Sequence, residues 1–238
     1  MVKTFLKARW ENLIMANYNI DAEILMPFLP KGVELDLYDG KAYVSLVGFI
    51  FKRCMIFNIP IPLMGTFEEI NLRFYVKRKV GDTYRRGVVF INETVPYKTV
   101  AWLANKLYKE HYITIPTKHH IVLDHSIKSI QYEWKVGTIW NHIKVNATMD
   151  SREMDRGSLE EFIFEHYYGY TKISDNVSQE YKINHPRWMV NDVTEKSVEC
   201  DFSRMYGLSF SHLSNKKPDS VIIAEGSDIS VDWKRQSF

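Results

Sequence analysis

Period-two alternation, repeated in run after run, is what most constrains this chain. In "EEINLRFYVKR" (68–78) Ile70, Leu72, Phe74 and Val76 make one face, and Glu69, Asn71, Arg73 and Tyr75 make the other. "RRGVVFINET" (85–94), "SIQYEWKV", "IWNHIKVNATM", "VSQEYKINH" and "KSVECDF" also read as strands. An aromatic content of 14% strengthens the strand preference. Turn signals separate the runs. Asp39-Gly40 joins two strands in "KGVELDLYDGKAYVSLVGFIF", Gly81-Asp82 joins 68–78 to 85–94, and Gly137 turns a further hairpin. "SVIIAEGSDISVDW" is expected to close the chain as a hairpin at Glu225-Gly226-Ser227, with Gly226 supplying positive φ.

Three short helices interrupt the strands. In "DAEILMPFLP" (21–30) Asp21 can cap, Ile24, Leu25 and Phe28 share a face, and Pro30 stops the helix. "PYKTVAWLANKLYKEHY" (96–112) carries Val100, Leu103, Ala104 and Leu107 at helical spacing, with Pro96 in the first turn. "SLEEFIFEHYYGY" opens on Ser158 and Glu161 in a capping-box pattern. No linker, repeat or composition shift divides residues 1–238. The expected fold is one α+β domain, mostly antiparallel β, built as a sheet or barrel with a few short helices.

Composition narrows the function classes. A net charge of +2, with Lys and Arg spread along the chain, argues against a nucleic-acid partner. "MVKTFLKARW" has no apolar run of signal-peptide length, and "CMIFNIPIPLMG" is too short to span a bilayer and holds Pro60 and Pro62. A soluble, cytoplasmic protein without a membrane partner is expected. Cys54 and Cys200 match no metal or redox spacing and read as reduced thiols. His119, His120, Asp124 and His125 match no metal motif, and Glu161, Glu165 and His166 would need further ligands from elsewhere. No Gly-rich phosphate loop, Ser–His–Asp set or Cys nucleophile motif is visible, so neither cofactor nor metal is expected.

"MANYNIDAEILMPFLPKGVELDLYDGKAYVSLVGFIF", "FEEINLRFYVKR", "GSLEEFIFEHYYGYT", "HPRW" and "IIAEGSDISV" together resemble the YqjF-like family of uncharacterised conserved bacterial proteins, over nearly the whole chain. That family is similar in fold to acetoacetate decarboxylase. The resemblance implies a β-barrel or double-layered sheet around a pocket, with a glutamate on a pocket strand, and "FEEINL" selects Glu69 for that place. It also implies a pair of adjacent lysines after a short helix, one forming a Schiff base with the substrate ketone. That pair does not carry over. The corresponding stretch is "NKLYKEHYITIPTKHH", with Tyr112 about where the reactive lysine would fall, and neither Lys109 nor Lys118 has a lysine neighbour.

The polar face of 68–78 therefore supplies the candidate site. Glu69 is the candidate acid/base, and Arg73 a carboxylate or phosphate clamp through its planar guanidinium. Asn71 and Tyr75 are the accompanying ligand-binding residues. Glu69 and Arg73 are four residues apart, about 13 Å along a strand, room for one small ligand between them. The same face would serve equally as a structural network bracing neighbouring strands. The expected partner is a small molecule, anionic or carbonyl-containing. Whether the chain is an enzyme, a ligand carrier or sensor, or an interaction protein with a filled barrel stays open, as does its oligomeric state.

Overall fold

The computed structural model describes residues 4–60, 65–233 and 236–238. β1 (Thr4–Ile20) runs into α1 (Ala22–Leu25), where the Asp21 carboxylate accepts from the Glu23 N–H, and a 3-10 turn (Met26–Phe28) extends this helical segment. Next come β2 (Glu34–Leu35), β3 (Ala42–Ile56), β4 (Ile59–Pro60), β5 (Thr66–Val80) and β6 (Thr83–Val95). In the proline-rich loop, residues 61–64, including Pro62, lie outside the described residues. α2 (Lys98–Tyr108) leads to β7 (Tyr112–Thr114) and β8 (Thr117–Leu123). β9 (Ile127–Val136) and β10 (Ile139–Arg152) pair across Gly137, as its turn signal predicts. α3 (Leu159–Phe164), capped by Ser158, precedes β11 (Tyr168–Ser174), β12 (Val177–Asn184) and β13 (Val190–Glu199). α4 (Phe202–Tyr206), a 3-10 segment (Leu208–Asn215), β14 (Ser220–Asp232) and β15 (Gln236–Ser237) complete the chain.

The strands form one mostly antiparallel sheet. Pairing runs β12-β11-β6-β5-β3-β1-β14, and β12 meets β14 again at Ile183–Val231 and Asn184–Ser230, which closes a ring. From β14 the sheet continues through β13, β10, β9 and β8 as a second layer over the outside of that ring. The layers approach closely at Gly48, where a Cβ would stand 2.8 Å from the Tyr132 ring, so only glycine fits.

Two cores follow from the two faces of the ring strands. Ile70, Leu72 and Phe74 point outward into one core with Tyr132 and Trp134 of the second layer and Phe202 of α4. Truncating a side chain such as Phe74 there would cost about 3–5 kcal/mol. On the opposite face Phe49, Phe51 and Phe67 pack with Phe162 and Trp188. Neither face of β5 is a solvated one, because the ring gives it an inside and the second layer covers its outside.

Three local expectations are corrected. Asp39 and Gly40 do form a tight turn, with φ of 48° and 74° and a Tyr38–Lys41 bridge. The strand before it is only two residues, however, and pairs with β5 rather than β3, and the Asp36 N–H extends that pairing to the Tyr75 carbonyl. The closing hairpin is absent: β14 runs unbroken alongside β1, with Gly226 opposite Glu11. β1 bulges against β3 at this point, with Asn12 at φ 54°, and a Cβ on Gly226 would come 2.0 Å from the Trp10 carbonyl oxygen. Gly226 thus has the positive φ expected of it (85°), but for a bulge and not a turn. The helix expected over 96–112 begins at Lys98 and stops at Tyr108, because Lys109 takes the left-handed conformation (φ 59°).

Candidate functional site

A cavity of about 300 Å³ lies inside the ring, with α2 over one side. Its walls are largely apolar, with Phe49, Phe51, Phe67 and Trp10 prominent. Glu69, Asn71 and Arg73 of β5 all line it, because they share the inward face of one strand. Tyr75, next on that face, does not reach the lining. Its hydroxyl sits 2.5 Å from Ser45 Oγ, and its ring packs on Phe162 and His166.

Two further carboxyl groups enter the same cavity, Glu93 and Glu110. Glu93 reaches it through a β-bulge. β6 gains a residue at Ile91 relative to β5, so Phe90 faces Arg73 and Glu93 faces Asn71, both inward although three residues apart. Glu110 follows directly on the left-handed Lys109 that ends α2. Tyr112 completes the group. Asn105 holds its backbone from both sides, at 2.9 Å and 2.7 Å, and β7 pairs parallel to β6 with Tyr112 beside Glu93.

The hydrogen bonds distribute unevenly. Glu69 accepts from Asn71 Nδ2 (2.9 Å) and from the Tyr112 hydroxyl (3.1 Å). Glu110 accepts from Thr171 Oγ1 (2.6 Å) and the Tyr181 hydroxyl (2.8 Å). Glu93 Oε2, Asn71 Oδ1 and Arg73 Nε are buried and find no protein partner. Arg73 touches Met15 Sδ through Nη2 at 3.4 Å, and among the described residues no carboxylate forms an ion pair with it.

Burial dominates the acid–base behaviour. It pushes Glu69 up to about 7, against the opposing pull of Asn71, Tyr112 and Arg73. Glu110 is likewise pushed up to about 7 by burial, with Thr171 and Tyr181 opposing. Glu93 rises well above the usual carboxylate range, through burial and then through the neighbouring Glu110 and Glu69. Glu69 and Glu110 thus titrate near neutral pH, and Glu93 is shifted in the same direction, toward keeping its proton. Carboxyl groups that exchange a proton near pH 7 are suited to general acid–base work.

The other residues singled out by the sequence lie elsewhere. Lys118 pairs with Glu133 (3.1 Å) and covers the Trp140 ring, and Lys109 is an exposed helix cap. No lysine lines the cavity among the described residues. His119 bonds Glu68, His166 faces Asp36 at 3.2 Å, and Glu161 caps its own helix through the Gly157 N–H. Cys54 and Cys200 are buried free thiols, and Cys54 lines the cavity. Among the described residues no three His, Cys, Asp or Glu side chains are placed to hold a metal ion, and no helix is long and apolar enough to cross a membrane.

The model of DUF2071, an uncharacterised conserved protein family, matches residues 7–228. The chain belongs to this family. Uncharacterized protein YqjF of Bacillus subtilis (strain 168) is 33% identical over 75 residues, a match covering 31% of each protein. Among solved structures, an acetoacetate decarboxylase-like enzyme from Sphingomonas wittichii RW1 superposes with a TM-score of 0.64 at 11% identity, covering all of this chain and 94% of that one. The acetoacetate decarboxylase of Legionella pneumophila gives 0.64 at 12% identity over 95% and 84%. The enduracididine biosynthesis enzyme MppR, complexed with the condensation product of pyruvate and imidazole 4-carboxaldehyde, gives 0.63 at 10% over 100% and 90%. At these identities the likeness is one of fold.

Sequence reasoning selected Glu69, Asn71 and Arg73 but passed over Glu93 and Glu110. Strict alternation along 85–94 cannot put Phe90 and Glu93 on one side. A helix continued to 112 hides the turn that aims Glu110. Tyr112 was visible only as the residue standing about where the lysine is missing.

Proposed function

We propose that the cavity binds or transforms a small organic acid or carbonyl compound, with Arg73 as anion clamp and Glu69 as acid/base. The observation that carries this reading is Arg73 itself, a guanidinium on the wall of a largely apolar cavity without an ion-pair partner among the described residues. The side chain is half-buried with its Nε fully so, and a cation held in such a wall is normally paired, so an anionic ligand is the group it lacks. A volume of about 300 Å³ sits at the lower end of ligand sites and favours a small molecule over a side-chain-filled interior. The fold neighbours support the choice of chemistry, since one is complexed with a pyruvate condensation product and others are acetoacetate decarboxylases or resemble them. Schiff-base chemistry finds no support, because the cavity presents Tyr112 and three carboxyl groups where a reactive lysine would be needed.

The same cavity would serve a carrier or sensor that performs no chemistry. A thermal-shift screen of short-chain carboxylic and keto acids tests binding, and a turnover assay on the hits separates enzyme from carrier. A ligand at a hundred times its Kd stabilises the fold by about 2.7 kcal/mol. Hits should lose their effect in Arg73→Ala. Hits that keep their full shift in that variant would remove Arg73 from the site.

A further inference from the structure

The four polar atoms left unpaired on residues that line the cavity, Trp10 Nε1, Asn71 Oδ1, Arg73 Nε and Glu93 Oε2, are not chemically alike. Arg73 Nε and Trp10 Nε1 are donors, whereas Asn71 Oδ1 is an acceptor and Glu93 Oε2 belongs to a carboxyl group that can become one. Asn71 and Glu93 stand directly opposite each other across β5 and β6, only 2% and 3% exposed. Arg73 lies two residues along β5, about 7 Å away by strand geometry. Buried polar atoms in native proteins are nearly always satisfied, and each exception costs about 1–3 kcal/mol. Four exceptions around one cavity mark positions for ligand atoms. The acceptor end asks for N–H groups and the arginine end for a carboxylate.

We infer that the ligand is an amino acid with an apolar side chain, its ammonium received by Glu93 and Asn71 Oδ1 and its carboxylate by Arg73. This rests on the organic-acid reading above and names the ligand class more narrowly. The phenylalanine-rich wall (Phe49, Phe51, Phe67) takes the side chain. A metal ion is a poorer match to the acidic end, because among the described residues no three ligating groups converge.

Binding has a proton signature. Glu93 faces Asn71 on β5 and Tyr112 on β7, with Glu69, Glu110 and Arg73 as the other charged or titratable groups acting around it. In the empty cavity burial and the neighbouring Glu110 and Glu69 favour the protonated form of Glu93. An ammonium placed against it favours the carboxylate, so the amino acid releases a proton on binding. A simple acid on Arg73 leaves Glu93 protonated and releases none.

Isothermal titration at pH 7.5, in two buffers of different ionisation enthalpy, tests this with a matched set: leucine, 4-methylpentanoate and 3-methylbutylamine. A second set uses phenylalanine, 3-phenylpropanoate and 2-phenylethylamine. In at least one set the amino acid should bind about tenfold or more tighter than its deaminated acid, as a charge-assisted hydrogen bond warrants, and with net proton release. Glu93→Gln should abolish the release and the tenfold advantage. Acids that bind as well as their amino acids, or an advantage that survives Glu93→Gln, would overturn the inference and leave the organic-acid reading standing. Silence from both sets overturns it too, and the organic-acid reading falls only if the wider acid screen is also silent.

Discussion

Two groups of buried acids, Asp36 and the cavity trio Glu69, Glu93 and Glu110, are treated in opposite ways. Asp36, 7% exposed, is met by Arg86 Nε at 2.6 Å, His166 Nε2 at 3.2 Å and Lys77 at 3.7 Å. Burial works to raise its pKa, but hydrogen bonds from His166 and Arg86 outweigh that and hold it down to about 2. Burial pushes His166 down to about 4, so a neutral imidazole donates to the carboxylate and Arg86 supplies the charge. In the cavity Glu69 and Glu110 receive hydroxyl and amide donors, none of Glu69, Glu93 and Glu110 has an ion pair among the described residues, and all three are pushed up. A carboxylate paired on every side stabilises the fold. Carboxyl groups buried together without cations oppose it, and persist where a site uses them.

The largest expected effect belongs to the paired site. Asp36→Ala should lower stability at pH 7 by about 3 kcal/mol, the low end for breaking a buried pair, because Arg86 keeps a third of its side chain in water. Denaturant midpoints measure this. A loss under about 1 kcal/mol would erase the contrast between the two regions.

Glu93→Gln should go the other way. Folded Glu93 keeps a proton that the unfolded chain releases above about pH 4.5, so its contribution is full below that pH and falls as pH rises. Removing the group should stabilise the protein at pH 8 and change little at pH 5. Melts of wild type and variant at both pH values give the difference directly, which cancels the opposite-signed slope from His166 between pH 4 and 6.5. Equal effects at both pH values would mean that Glu93 is not held protonated.

Arg73→Ala and Glu69→Gln should each move stability by less than about 1.5 kcal/mol, as expected of residues lining a cavity and not bracing strands. Chemical denaturation of both variants checks it, and a collapse of both midpoints would turn this face into a structural network. The smallest effect is none at all. Incubation with acetoacetate and borohydride should add no covalent mass, since no lysine lines the cavity among the described residues. A stoichiometric adduct on Lys109 or Lys118, seen by mass spectrometry, would place a reactive lysine where this structure has none.

Sequence by itself determined the strands and most of the turns, because alternation, capping residues and glycine conformations act over a few neighbours. It also determined which residues of β5 share a face, since a strand's pleat leaves no choice once the apolar face is buried. Which side that polar face would meet, cavity or brace, needed the ring to close between β12 and β14. The same holds for what joined it. Glu93 turns inward only because β6 bulges against β5 at Ile91, and a bulge is a relation between two strands. Glu110 turns inward because α2 ends early at a left-handed lysine, and Asn105 then clamps Tyr112 in place. Gly226 shows the same division: its need for positive φ is local, but whether that makes a turn or accommodates a bulge was decided by β1 lying alongside.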